Sequence, residues 1–163
     1  ALMSIPPIML SLGLGIIFGS GMTSLMIILG LSTIPTYTRL MCAQVLAIRN
    51  SDYINAERVL GASNIRIMFS HILPNCLSPI LVLFTMNIGG TILAEASLSF
   101  LGVGVKPPMA SWGAMVNEGY NRLITNPVFA LAPGICIMLL VLGFNILGDG
   151  LRDVLDPRLR GSI

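Results

Sequence analysis

The apolar positions of this chain come in long blocks with almost no polar interruption. No Asp, Glu, Lys or Arg occurs from Ala1 to Thr38, from Ile67 to Ala94, or from Leu123 to Gly148, runs of 38, 28 and 26 residues. A bilayer core takes about 20 helical residues. The first run is too long for one crossing, and Gly19-Ser20-Gly21 at its middle offers a turn. The pattern therefore predicts four membrane-spanning helices, near residues 1–18, 22–39, 75–100 and 126–148. An elbow over 50–72, a loop over 101–125 and a tail over 149–163 connect and follow them.

Within the elbow, Ser51 or Asp52 can cap a helix that runs to about Leu60, and Gly61 supplies the left-handed residue that ends it. Ser63 or Asn64 can cap a second helix, with Ile65, Met68, Phe69 and Ile72 as an apolar face. In the loop, Trp112, Met115, Val116 and Leu123 recur at helical spacing, which suits a short helix on the membrane surface with Trp112 as anchor.

Composition agrees with a membrane protein. Of 163 residues 55% are hydrophobic and only 10% charged, against roughly a quarter charged in soluble domains. A net charge of +2, thinly spread, excludes a nucleic-acid surface. Cys42, Cys76 and Cys136 are isolated and read as small hydrophobes, not as a disulfide framework or a metal site. The chain opens at Ala1 inside an apolar stretch, which reads as a fragment lacking upstream sequence.

The charges also orient the chain. Arg39, Arg49, Arg58 and Arg66 flank the elbow and Arg152, Arg158 and Arg160 lie in the tail, whereas the 101–125 loop holds only Lys106 and Arg122 as cations. Positive charge collects on the cytoplasmic side, so elbow and tail are expected there and the loop outside.

Pro6, Pro7, Pro35, Pro79 and Pro133 lie in or at the ends of spans, where each bends a helix. Ser32, Thr33, Thr36 and Thr38 stand ready to satisfy the carbonyl that Pro35 frees. Gly15 and Gly19, like Gly90 and Ala94, are spaced by four and let helices approach. Asn87, Thr91 and Glu95 share one face of the third span. An ionisable group at that depth is a functional candidate, so the three are candidates to line a translocation path. Pairing of Glu95 with Lys106 or Arg122 near the outer interface is the plainer alternative.

Ala56, Gly61 and the Leu73-Pro74 pair resemble the cytoplasmic Glu-Ala-Ala loop of permease subunits of ATP-binding cassette importers. GAS at Gly61 to Ser63, HILPN at His71 to Asn75, AEASLSFLG at Ala94 to Gly102, SWG at Ser111 to Gly113 and GDGLRDVLDPRLR at Gly148 to Arg160 are similar to the branch that imports dipeptides, oligopeptides or nickel. The likeness runs along the whole chain and is nearer to the second of the paired permeases. Two departures are Asn55-Ala56-Glu57 in place of Glu-Ala-Ala and His71 in place of Ile. No His or Cys stands at ligand spacing from His71, which reads as structural or interfacial.

The resemblance implies an all-α, polytopic transmembrane helix bundle forming one permease domain, with two further spans upstream of Ala1. It implies docking to a separate ATPase through Asn55, Ala56, Glu57, Gly61, Ala62, Ser63 and Pro74. The implied partners are a second permease, two ATP-binding subunits and an extracytoplasmic solute-binding protein, in a bacterial or archaeal inner membrane. No catalytic, cofactor or metal site is expected in this chain, and ATP would be bound by the partner. The only lysine, Lys106, sits in Val105-Lys106-Pro107 without a glycine-rich phosphate loop. The competing expectation is an ion-coupled carrier that uses Asn87, Thr91 and Glu95.

Overall fold

Proline decides where the first helix begins. In the computed structural model, which describes residues 5–155, Pro6 precedes and Pro7 opens α1, Pro7–Phe18. Their missing N–H groups cost nothing at a helix start. Ala1 to Ser4 of the expected first span lie outside the described residues, as do Asp156, Arg158 and Arg160 of the expected tail. At 12 residues α1 is about 18 Å long, too short to cross a bilayer by itself. Gly19 and Gly21, at φ +74° and +144°, then reverse the chain as the sequence suggests.

Helix α2, Met22–Ile48, runs well past Arg39, where the second span was expected to stop. A charge ends an apolar window but not a hydrogen-bonded ladder, and residues 41–48 hold no helix breaker. The hydroxyls around Pro35 also behave differently from expectation. The carbonyl deprived of a donor is that of Leu31, four residues back. Ser32 instead donates to Ile28 O at 2.8 Å and Thr33 to Gly30 O at 2.9 Å.

After α2 comes the elbow: α3, Asp52–Val59, a turn, and α4, Asn64–Arg66. The elbow's second arm is not a separate helix as expected. It continues through a π segment, Ile67–Ile72, into α5, Leu73–Phe100, making one rod of 37 residues. The wide turn has a local cause. Pro74 has no N–H for the carbonyl four residues back and its ring would strike that turn; loosening the winding just before it relieves the clash. The Leu73 N–H reaches back five residues to Met68 O, and Asn75 Nδ2 donates to His71 O at 2.7 Å.

Beyond α5, an irregular strap over 103–111 leads to α6, Trp112–Tyr120. Leu123, expected on this helix, lies past its end. Helix α7, Val128–Leu155, returns antiparallel to α5. The described residues are helical with no strand. Three helices are long and apolar enough to cross a membrane, and α1 is a shorter apolar one. Helix α5 is central and packs on α1, α2, α6 and α7.

The core at its crossing with α2 is small: Leu25, Ile28 and Leu98, at most 3% exposed, flanked by Leu12, Leu14 and Leu29. Most large apolar side chains face outward, Ile135, Met138, Leu139 and Leu142 of α7 among them. In hydrocarbon, close packing holds helices together, because water exclusion no longer does. Removing the fully buried Ile28 side chain therefore tests that packing. Ile28→Ala is expected to destabilise the protein by about 2 kcal/mol, read as a lower midpoint of thermal unfolding in detergent; an unchanged midpoint would remove Ile28 from the core.

Candidate functional site

Two features stand apart from plain helix packing: the elbow, and a cavity between α2 and α5. In the elbow, the end of α3 closes as expected at Gly61, φ +82°. Ala62 N–H donates to Glu57 O and Gly61 N–H to Arg58 O, both at 3.0 Å. This pair of bonds is the Schellman motif, which needs a left-handed residue at Gly61's place. Ser63 caps α4, its Oγ accepting from Arg66 N–H at 3.3 Å. Ser51 occupies the cap position of α3, but its hydroxyl donates backward to Ile48 O at 2.7 Å. Asn55 reaches back as well, Nδ2 donating to Asn50 O at 3.3 Å.

The two arms contact each other, and each has one buried isoleucine, Ile54 and Ile67. The expected apolar face turns away from the bundle: Ile65, Met68 and Phe69 are exposed and only Ile72 is half-buried. With Val59 and Leu60, 88% and 81% exposed, they form an outward apolar surface around the Gly61 turn. Of the expected docking residues, Asn55, Ala56, Gly61, Ser63 and Pro74 are exposed, and Glu57 and Ala62 half-buried. Glu57 Oε1 lies 3.6 Å from His71 Nε2, so these residues, both departures from the family pattern, bridge the two arms.

The cavity between α2 and α5 measures about 690 Å³ and takes in Asn87, Thr91 and Glu95 from α5, with Thr33 and Tyr37 opposite and Trp112 of α6 at one end. A smaller hollow of about 270 Å³ shares Thr33, Asn87 and Thr91 and is completed by Ser11, Ser32 and Thr36. The stripe read from the sequence thus opens onto space, and so does Gly90, which has no neighbour within 4 Å where a Cβ would stand. Of the glycines expected to allow close approach, Gly15 does so, against Val103, while Gly19 and Gly90 do not.

Glu95 is held by hydroxyls, not by Lys106 or Arg122. Its Oε1 accepts from Ser99 Oγ at 2.7 Å and from Ser111 Oγ at 3.1 Å. Arg122 pairs with Glu118 at 3.5 Å and lies over the Phe129 ring. Ser99 was legible four residues from Glu95, one helical turn on; Ser111, across the strap, left no such signal. No group of three or more candidate metal ligands occurs among the described residues.

Comparison with known proteins covers nearly the whole chain. The family described as binding-protein-dependent transport system inner membrane component matches residues 1–161. The glutathione transport system permease protein GsiD of Salmonella typhimurium is 44% identical over 160 residues, which cover 98% of this chain and 53% of that protein. A Brucella suis relative bearing the name of a peptide transport system permease protein is 47% identical over 160 residues, 98% of this chain and 54% of its own. The chain thus spans about half the length of the curated relatives it matches. With its apolar helices and outward elbow, the chain belongs to the family of binding-protein-dependent transport system inner membrane components.

Proposed function

We propose that this chain is part of a permease subunit of an ATP-driven importer for short peptides, with the cavity between α2 and α5 on its translocation path. The elbow docks on a separate ATP-binding subunit, and the strap and α6 face an extracytoplasmic solute-binding protein. A second permease completes the path. Elbow and tail lie on the cytoplasmic side, where Arg49, Arg58, Arg66 and Arg152 collect. Peptide and glutathione relatives support a peptide-like substrate.

The carrying observation is the elbow: five apolar side chains, Val59, Leu60, Ile65, Met68 and Phe69, stand exposed around a fixed glycine turn between the second and third expected spans. An exposed apolar cluster on rigid backbone fits a partner groove. An ion-coupled carrier has no use for it.

The full-length protein, reconstituted with its partner subunits, is expected to take up peptide only when ATP and the ATP-binding subunits are both present. Uptake driven by a proton or sodium gradient without them would overturn the proposal. Within the path, Asn87→Leu is expected to lower uptake about tenfold with unchanged protein abundance, as one polar wall group is replaced by a bulkier apolar one. Full uptake by that variant would take Asn87 off the path.

A further inference from the structure

Glu95 is the only acidic residue between Glu57 and Glu118, and its partners lie where α5 ends and the strap meets α6. Ser99, 4% exposed, donates to Glu95 Oε1 and accepts from the Val105 N–H at 3.3 Å. Gly104 N–H donates to Leu98 O at 3.2 Å. These bonds fix the near half of the strap on α5. Ser111, at the far end, donates to the same Oε1 and caps α6, its Oγ accepting from Ala114 N–H at 3.5 Å. Asn117 Nδ2 then donates to Phe100 O, and Tyr120 meets Phe100 edge to face at 6.1 Å.

The opposite wall is different. Where Met109, Trp112 and Met115 approach Met22 and Leu25 of α2 they enclose a hollow of about 360 Å³, and no hydrogen bond crosses from α2 to the strap or α6 among the described residues. Methionine-rich apolar contacts re-pack at little cost, whereas a hydroxyl's hydrogen bond to a fixed acceptor is directional. One seam of the cavity's roof is tied; the other is free to slide.

We propose that Glu95 is a positioning residue that clamps the strap and α6 onto α5, so that the roof moves as one body with α5 and the cavity opens outward along the α2 seam. This rests on the importer reading for its purpose, but not for its geometry. Both bonds fall on a single oxygen, so the clamp needs an acceptor and not a charge. A glutamine carbonyl supplies the same acceptor, which separates a clamp from an ion-carrying carboxylate: the clamp survives Glu95→Gln, and proton or sodium carriage does not.

The test uses the full-length protein in its native membrane, with Cys42, Cys76 and Cys136 replaced by alanine and Thr33→Cys as a reporter in the cavity wall. A membrane-impermeant methanethiosulfonate bearing a sulfonate is added from outside without substrate. Glu95→Ala is expected to speed labelling roughly tenfold through loss of both bonds, and Ser111→Ala by a few-fold through loss of one. Glu95→Gln should label at the parent rate. Parent-like labelling in Glu95→Ala would overturn the clamp, and so would Glu95→Gln labelling as fast as Glu95→Ala. If Glu95→Ala does not accumulate, Ser111→Ala decides, and a parent rate there overturns it. Labelling is read on this chain alone, so a failed importer reading, seen as ATP-independent uptake, leaves the result interpretable.

Discussion

Gly113→Val is expected to remove the protein from the membrane fraction. A Cβ at Gly113 would stand 2.2 Å from Ala96 O and 2.7 Å from Ala96 Cα. Both are main-chain atoms of α5, so no side chain can swing aside, and α6 must leave the helix it rests on. Overpacking against movable side chains costs about 1–3 kcal/mol; against fixed backbone the cost lies above that range. Displacing α6 also carries Ser111 away from Glu95. Gly113→Ala should already unfold at lower temperature in detergent, whereas Gly134→Ala on α7, with nothing within 4 Å, should match or exceed the parent. A parent-like midpoint for Gly113→Ala would show that α6 does not sit where it is placed.

Gly61→Pro should leave the protein in the membrane yet lower ATP-dependent uptake more than tenfold, with ATP hydrolysis no longer answering to substrate. Proline fails twice at this position. Its φ near −65° cannot reach +82°, and it has no N–H for Arg58 O. The turn must then unwind, and the apolar side chains on either side lose their fixed spacing. Gly61→Ala retains the donor and meets only the left-handed penalty, about 1 kcal/mol, so a smaller loss is expected. The spans are untouched by either change, and quantifying protein by immunoblot beside uptake separates coupling from abundance. Normal uptake in Gly61→Pro would mean that the elbow transmits nothing.

What could be read from the sequence follows from how local each cause is. The apolar runs, the Gly19-Ser20-Gly21 reversal and the Gly61 turn depend on neighbours in sequence, and all appear. A charge marks where an apolar run stops but not where a helix does, as at Arg39, because the backbone ladder ignores side-chain charge while good helix formers continue. Which way the elbow's apolar face turns was not legible for a different reason, since it depends on contacts that only the folded chain supplies. Ile65, Met68 and Phe69 share one exposed face as their spacing suggests, and only Ile72, at the end of the loosely wound π turn where a 3.6-residue period no longer holds, is half-buried. Ile67 faces inward and Ile65, Met68 and Phe69 outward. At the cavity, the Asn87-Thr91-Glu95 stripe was legible because it repeats within one helix. The Ser111 partner of Glu95 was not, since only the folded strap brings it near.

The unbroken rod from Asn64 to Phe100 has a mechanical meaning. At 1.5 Å per residue its 37 residues measure about 55 Å, well beyond the roughly 30 Å of a hydrocarbon core. It carries the elbow at one end and the Glu95 clamp at the other. A stiff lever that long turns a modest tilt at the Gly61 end into an ångström-scale swing at Glu95 without any relay of side-chain contacts between them. The loosely wound Ile67–Ile72 turn is then the compliant joint where such a lever gives first, and stiffening or softening it sets how much of a push at one face of the membrane arrives at the other.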